Sequence, residues 1–156
     1  MGPECTRWWI QHGGRAPRAR GLFEHASGWP GAPTLKILLD HFGVEWFDNS
    51  GTLQLAVKTH DFETVKMLAD AGADLDEWVE DWQMDIRERR AAPLPALLEA
   101  VYAKSETMIR YLASRGAKLT RKNLHIDDPY TSMSEELKAF VDLVVELGAV
   151  KEDTAM

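Results

Sequence analysis

The side chains that most often carry acid–base or metal chemistry are few in this chain of 156 residues. They comprise five histidines and one cysteine: His12, His25, His41, His60, His125 and Cys5. No two of them stand at a spacing typical of a zinc site. The chain also has neither a glycine-rich phosphate loop nor a nucleophile elbow. The sequence therefore predicts no metal site and no bound cofactor.

A small acid–base set can still be drawn from the remaining residues. His125 stands two residues before Asp127, and His25 or Tyr102 could supply a proton. Four tryptophans fall in or beside predicted turns, namely Trp29, Trp46, Trp78 and Trp82. If their rings converge, they wall an apolar pocket. An alternative function is thus an acid–base cyclase or isomerase acting on a small molecule, with catalytic candidates His25, His125, Asp127 and Tyr102. A solvated role in a polar loop is the commoner one for such histidines.

The charge balance argues against a nucleic-acid partner. The net charge is -7, although residues 1–20 hold four arginines against one glutamate, so the rest of the chain is more acidic still. An acidic body repels phosphate backbones. One cysteine excludes an internal disulfide, which fits the reducing cytoplasm or nucleus. No apolar run approaches the ~18 residues of a membrane-spanning helix.

Helical segments that end in glycine recur along the chain. The sequence "ETVKMLADAGA" (Glu63–Ala73) returns as "ETMIRYLASRGA" (Glu106–Ala117). Five such segments end at Gly13, Gly43, Gly72, Gly116 and Gly148, spaced by 30, 29, 44 and 32 residues. Three of these spacings lie near the ~33 residues of a unit made of two short helices. Each glycine is predicted to adopt the left-handed conformation that closes a helix.

A second, shorter apolar helix precedes the repeated one. It reads "GTLQLAVKTHDF", 44 residues later "PALLEAVYAKSE" and, more weakly, "GLFEHASGWPG" near the start of the chain. In the first two, apolar residues form one stripe at i, i+3 and i+4, and the two stripes are Leu53, Ala56 and Val57, and Leu97, Ala100 and Val101. Both helices of each unit are therefore predicted to bury one narrow face.

This layout resembles the ankyrin repeat family, most closely over Asp48–Asp76. In the family pattern, Gly51–Gln54 match the Thr-Pro-Leu-His opening, His60 and Asp61 the Gly-His pair, and Gly72–Asp74 the Gly-Ala-Asp end. The array is divergent, because the opening Thr and His are missing from their places. The resemblance implies an all-α, ankyrin-like helical repeat solenoid of about four to five helix-turn-helix units.

The predicted boundaries divide one domain, 1–156, into unequal parts. The first and last repeats are incomplete, and the first lacks its opening helix. The parts are a partial first repeat at 1–20, repeats at 21–47, 48–77 and 94–119, an inserted finger at 78–93, and a capping segment at 120–150. Within the cap, Leu124 and Ile126 are expected to dock onto the stack, and Ser132 is expected to cap a helix with Glu135 three residues on.

The insertion lengthens one spacing to 44 residues. Trp78, Trp82 and Ile86 recur at i, i+4 and i+8, which predicts a short amphipathic helix. Long insertions in compact domains are commonly functional, and Trp and Arg dominate binding hot spots. The insertion is therefore expected either to seal the solenoid edge or to anchor a partner.

The favoured function is a protein–protein interaction or scaffolding module, and the sequence leaves open whether it is an enzyme. In the ankyrin family, partners bind the loop fingers and the concave face. The resemblance, together with the insertion, implies these binding residues: Trp46, Asp48, Lys58, Trp78, Trp82, Arg87 and Tyr102. A homodimer through Trp8 and Trp9 is a further expectation, because two adjacent tryptophans at an uncapped end form an apolar patch.

Overall fold

The structure, a computed structural model, describes residues 2–15, 29–79, 94–124 and 133–152. These ranges hold seven α-helices, which are α1 (Pro3–Gln11), α2 (Ala32–Phe42), α3 (Thr52–Lys58), α4 (Phe62–Asp70), α5 (Ala96–Tyr102), α6 (Glu106–Ser114) and α7 (Glu135–Glu146). A 3-10 helix spans Val44–Phe47, and two strands, β1 (Leu119–Thr120) and β2 (Val150–Lys151), have two residues each. The prediction of an all-α fold is confirmed. None of the described helices combines the length and the apolar run that a bilayer crossing needs.

Two helix pairs, α3–α4 and α5–α6, share the same local geometry. In each pair the turn between the helices passes through a residue with positive φ, 60° at His60 and 55° at Lys104. The next residue caps the second helix: Asp61 accepts from the Thr64 N–H at 3.2 Å, and Ser105 from the Met108 N–H at 3.4 Å. Equivalent residues 44 positions apart thus form the same turn.

The second helix of each pair ends in the same way. Gly72 and Gly116 have φ values of 96° and 94°. The following N–H groups turn back to the helix, from Ala73 to the Leu68 carbonyl and from Ala117 to the Leu112 carbonyl, both at 3.0 Å. A side chain at positive φ meets the backbone, so glycine suits this position. All five predicted glycines, Gly13, Gly43, Gly72, Gly116 and Gly148, have positive φ as expected, but Gly43 has ψ 169° and is therefore extended and not left-handed helical.

The helices pack in chain order. Helix α1 packs on α2, α2 on α4, α3 on both α4 and α5, and α5 on both α6 and α7. The predicted stripes lie in one continuous core, in which Leu53, Ala56, Val57, Leu97, Ala100 and Val101 are each at most 5% exposed. The Arg115 guanidinium also joins the pairs, because Nη2 donates to the Ala69 carbonyl at 3.0 Å and Nη1 lies 3.2 Å from Asp70 Oδ1.

The last described helix is tied down at both ends. Leu124 is 2% exposed, so its predicted docking is confirmed. The N-cap of α7 is Ser134, whose Oγ accepts from the Leu137 N–H at 3.2 Å. The prediction of Ser132 as the cap is wrong: the helix begins at Glu135, so the residue directly before it has the capping geometry. Strands β1 and β2 pair in parallel and hold the chain beyond α7 against the segment after α6.

Several predicted segments lie outside the described residues. They are the weaker helix expected at the start of the repeat at 21–47, most of the inserted finger, and Ile126. Of the predicted finger helix only its start, residues 78–79, is described, and that stretch is not helical.

Candidate functional site

The loop that follows α4 is fixed by polar contacts from neighbouring elements. Gln54, 2% exposed on α3, donates from Nε2 to the Glu77 carbonyl at 3.0 Å. Asp74 Oδ1 accepts from the Asp76 N–H at 3.0 Å, and Asp76 Oδ1 accepts from the Lys118 N–H at 2.9 Å. A buried amide costs free energy unless it is paired, so the contact from Gln54 specifies where this loop lies.

An open cleft of about 360 Å³ lies at this edge of the molecule. It is lined by Asp48, Asn49, Asp74, Glu77 and Trp78. Trp78 is 52% exposed, a large apolar surface beside polar groups. Asn49 has φ 57°, a left-handed conformation that asparagine tolerates better than most residues. The turn before α3 and the loop after α4 therefore meet in one surface.

Glu77 is the most perturbed ionisable group that the structure describes. Burial raises its pKa from 4.5 to about 7, against the lowering effect of a hydrogen bond from the Asn49 backbone, and the nearby charges of Asp48 and Asp74 raise it further. Its Oε1 is buried and finds no hydrogen-bond donor among the described residues. A carboxylate in this position is stabilised by any donor or cation that reaches it.

The cleft has an excess of negative charge. In the described ranges, ion pairs join Lys104 to Glu136, Arg110 to Glu106, Arg115 to Asp70, and Lys138 to Glu135. None of these four pairs involves a residue that lines the cleft. The arrangement suits an incoming side chain that is cationic or rich in N–H donors, with the Trp78 ring available for cation–π contact.

Lys58 and Tyr102, two predicted binding residues, occupy equivalent ends of α3 and α5. Both are exposed, Tyr102 by 44%. Tyr102 also borders an apolar crevice with Leu98 and Leu124. Since α3 packs on α5, the two side chains belong to adjacent helices.

Trp46 does not belong to this surface. It is 8% exposed, stacks on Phe42 with ring centroids 4.3 Å apart, and meets Phe47 edge-on at 5.0 Å. The 3-10 helix Val44–Phe47 turns the ring into the core. This burial removes Trp46 from the binding surface proposed below, whereas Asp48, two residues on, is exposed.

The other predicted site residues fall on undescribed parts of the chain. Trp82 and Arg87 of the binding set, and His25, His125 and Asp127 of the catalytic set, lie outside the described residues. Tyr102 is thus the catalytic candidate whose surroundings can be stated. In the described ranges, no three His, Cys, Asp or Glu side chains are grouped so as to hold a metal ion.

Three lining residues were not predicted as site residues: Asn49, Asp74 and Glu77. Asp74 ends the Gly-Ala-Asp match, and Glu77 is the last residue of its predicted repeat, directly before the insertion. Asn49 adjoins Asp48 in the sequence, but the loop with Asp74 and Glu77 is brought there by a contact across 23 residues, from Gln54 to Glu77, which no local pattern reveals.

Comparisons with protein-family models, with curated proteins and with solved structures found no match to this chain.

Proposed function

We propose that this chain is a protein-recognition module, an ankyrin-like solenoid that binds a partner at the edge where its loops meet. The observation that carries the proposal is the open cleft at that edge, in which the half-exposed Trp78 lies among Asp48, Asp74 and Glu77. An exposed tryptophan with surrounding polar groups is the usual composition of a binding hot spot.

The recurrence of local geometry supports the solenoid. The turns at His60 and Lys104 and the helix ends at Gly72 and Gly116 repeat at an offset of 44 residues, and the first helices of the two pairs, α3 and α5, pack on each other. In a linear array each unit contacts its neighbours, and the packing order from α1 to α7 has this character. Gln54, which stands where the family has His, binds the loop after α4.

The open form of the cleft supports a macromolecular partner over a small substrate. A small-molecule site encloses most of its ligand, whereas this cleft is open to solvent. The charge of the cleft selects for a partner segment that presents Lys, Arg or backbone N–H groups. Trp78 is expected to form the apolar centre of the contact.

Selection from a random peptide library on the immobilised protein tests this function. Enriched peptides are expected to carry Lys or Arg, and Trp78→Ala is expected to weaken their binding at least tenfold, since a hot-spot tryptophan contributes about 2 kcal/mol or more. Asp74→Asn should weaken it less, by about twofold to fivefold, through loss of one screened charge.

Two matched controls separate the cleft from the rest of the surface. Trp8→Ala removes a tryptophan of similar exposure, and Asp142→Asn removes an exposed carboxylate of α7. Neither should change peptide affinity. Equal binding by Trp78→Ala and the wild type would exclude this surface. A small molecule that co-purifies with the native protein, with no peptide selected, would instead favour the enzyme alternative.

A further inference from the structure

Helix α1 has one face in the core and one face in solvent. Thr6 is fully buried, and Trp9 packs towards Phe42 with ring centroids 6.0 Å apart. Trp8 is 60% exposed, the most exposed of the large apolar side chains that the structure describes. The other exposed residues of α1 and its C-cap are Glu4, Cys5, Arg7, Gln11 and His12. This face therefore leaves an indole ring in water at the centre of a polar helix surface.

The exposed face has an ordered charge pattern. Glu4, Trp8 and His12 are one turn apart and form a single stripe along α1. The imidazole of His12 stacks on the Trp8 ring at 4.0 Å, and its Nδ1 donates to the Trp8 carbonyl at 2.8 Å. Because Nδ1 is engaged, Nε2 is the nitrogen left to meet a group from outside, and in the protonated ring it donates to a carboxylate.

The stripe on one α1 helix is complementary in charge to the same stripe on a second, antiparallel α1 helix. An acidic group stands at one end, an imidazole at the other, and an aromatic ring between them. If two α1 helices lie antiparallel with their Trp8 rings in contact, Glu4 of each copy lies at the same level along the helix as His12 of the other, so that the two side chains can meet beside the rings. The opposed helix dipoles add a favourable contribution. A surface of this kind meets itself across a two-fold axis, which gives a closed, isologous contact.

We propose that the outer face of α1 docks a second copy of this chain, antiparallel and centred on Trp8. The contact is separate from the cleft and does not depend on its function. The face of a nine-residue helix is small, well under the roughly 800 Å² per partner of a standard interface. The dimer is therefore expected to be weak, with a Kd on the order of 10–100 μM, and Trp8 is expected to carry most of the affinity.

The antiparallel register has a specific signature in cross-linking. At about 100° per residue, Cys5 and His12 are both turned to the same side of Trp8, by about 60° and about 40°. In an antiparallel pair related by a two-fold axis, residues on the same side of Trp8 in the two copies are neighbours, and they run in opposite directions along the helices. Cys5 of one copy therefore lies beside His12 of the other. We expect His12→Cys to give a covalent dimer under mild oxidation, even though it removes one polar contact.

The competing routes to a disulfide are excluded by distance and by a control. Within one helix, residues seven positions apart lie about 10 Å apart, too far to bridge. Adding Cys5→Ser should abolish the cross-link. Gln11→Cys, on the opposite flank, serves as the matched control and should cross-link to Cys5 less. Equal yields with and without Cys5, or no more dimer than the wild type, would overturn the register.

Sedimentation velocity over a concentration series tests the association without engineered thiols. The wild type is expected to shift towards dimer between about 5 and 300 μM, and Trp8→Ala to raise the Kd at least tenfold. Trp78→Ala, a matched loss of an exposed tryptophan, should leave the shift unchanged. A wild type that stays monomeric throughout, or a Trp8→Ala protein that dimerises equally, would refute the proposal. The helix content of both variants is checked by circular dichroism.

Discussion

Among the ionisable groups that the structure describes, the carboxyl of Glu77 links the stability of the protein to pH most directly. Its pKa is raised by burial from 4.5 to about 7, so the folded state holds a proton that the unfolded chain releases. Below pH 4.5 both states are protonated and burial of the charge costs nothing. As pH rises from there to about 7, the folded state binds more protons than the unfolded state, and its stability falls. Above about pH 7 the carboxyl is ionised in both states, and the cost of burying its charge lowers the stability of the folded state by a constant amount.

Glu77→Gln removes this ionisation and retains a carbonyl that can accept from the Asn49 N–H. Because the site is partly solvated, the penalty is discounted to about 1–2 kcal/mol. The variant is expected to gain about that much free energy of unfolding, relative to wild type, between about pH 4 and pH 8. Urea denaturation at the two pH values measures it.

The exposed Glu146 of α7 offers the matched control. Glu146→Gln removes the same charge at a distance from the cleft, and its difference from wild type should stay nearly constant between the two pH values. A Glu77→Gln protein that behaves in the same way would show that the buried carboxyl is not the source of the pH dependence.

At the scale of the elements, the turn between the two helices of a pair is strained. His60 and Lys104 both have φ near 60°, a conformation that costs a residue with a side chain roughly 1–2 kcal/mol. Glycine would have no such cost in the folded state but loses more entropy on folding. At both turns the chain therefore has a residue with a side chain where glycine would be less strained.

His60→Gly is expected to stabilise the protein by about 0.5–1 kcal/mol, since the relief of strain exceeds the entropy of the more flexible unfolded chain. Lys66→Gly, in the exposed interior of α4, should do the opposite and cost about 1 kcal/mol. Thermal denaturation compares the two. A His60→Gly protein that melts below wild type would show that the imidazole makes a contact worth more than the strain.

Local sequence patterns predicted these elements well, but they did not predict contacts between residues far apart in the chain. The glycine-ended helices and the stripes at Leu53 and Leu97 follow from spacing alone, because a helix places i, i+3 and i+4 on one side. Trp46 was expected at a binding surface, but a 3-10 turn stacks it on Phe42. The cleft itself depends on Gln54 reaching Glu77 from another element, and single-chain periodicity contains no such information.

For the whole molecule, the continuity of the core decides how it unfolds. One cluster of buried residues extends from α2 to α7, and Leu97 lies within it at 1% exposure. Helix α5 packs on α3, α6 and α7, so damage at this position reaches both neighbouring units.

Leu97→Asp places a charge in this shared core without a partner, and the cost is expected to exceed about 4 kcal/mol, a large part of the roughly 5–15 kcal/mol that stabilises a folded domain. Loss of the thermal transition and of helical ellipticity at 25 °C is the expected result. Tyr102→Asp, which introduces the same charge at an exposed position of α5, serves as the control and should retain the fold. A Leu97→Asp protein that melts like wild type would refute this placement of α5.

The direct packing of α3 on α5 means that the peptide joining the two helix pairs does not hold them together. Arg115 and the Ala69 carbonyl bridge the same pairs from the other helices. Contacts between described residues thus join the two helix pairs non-covalently, independently of the sequence between Val79 and Leu94.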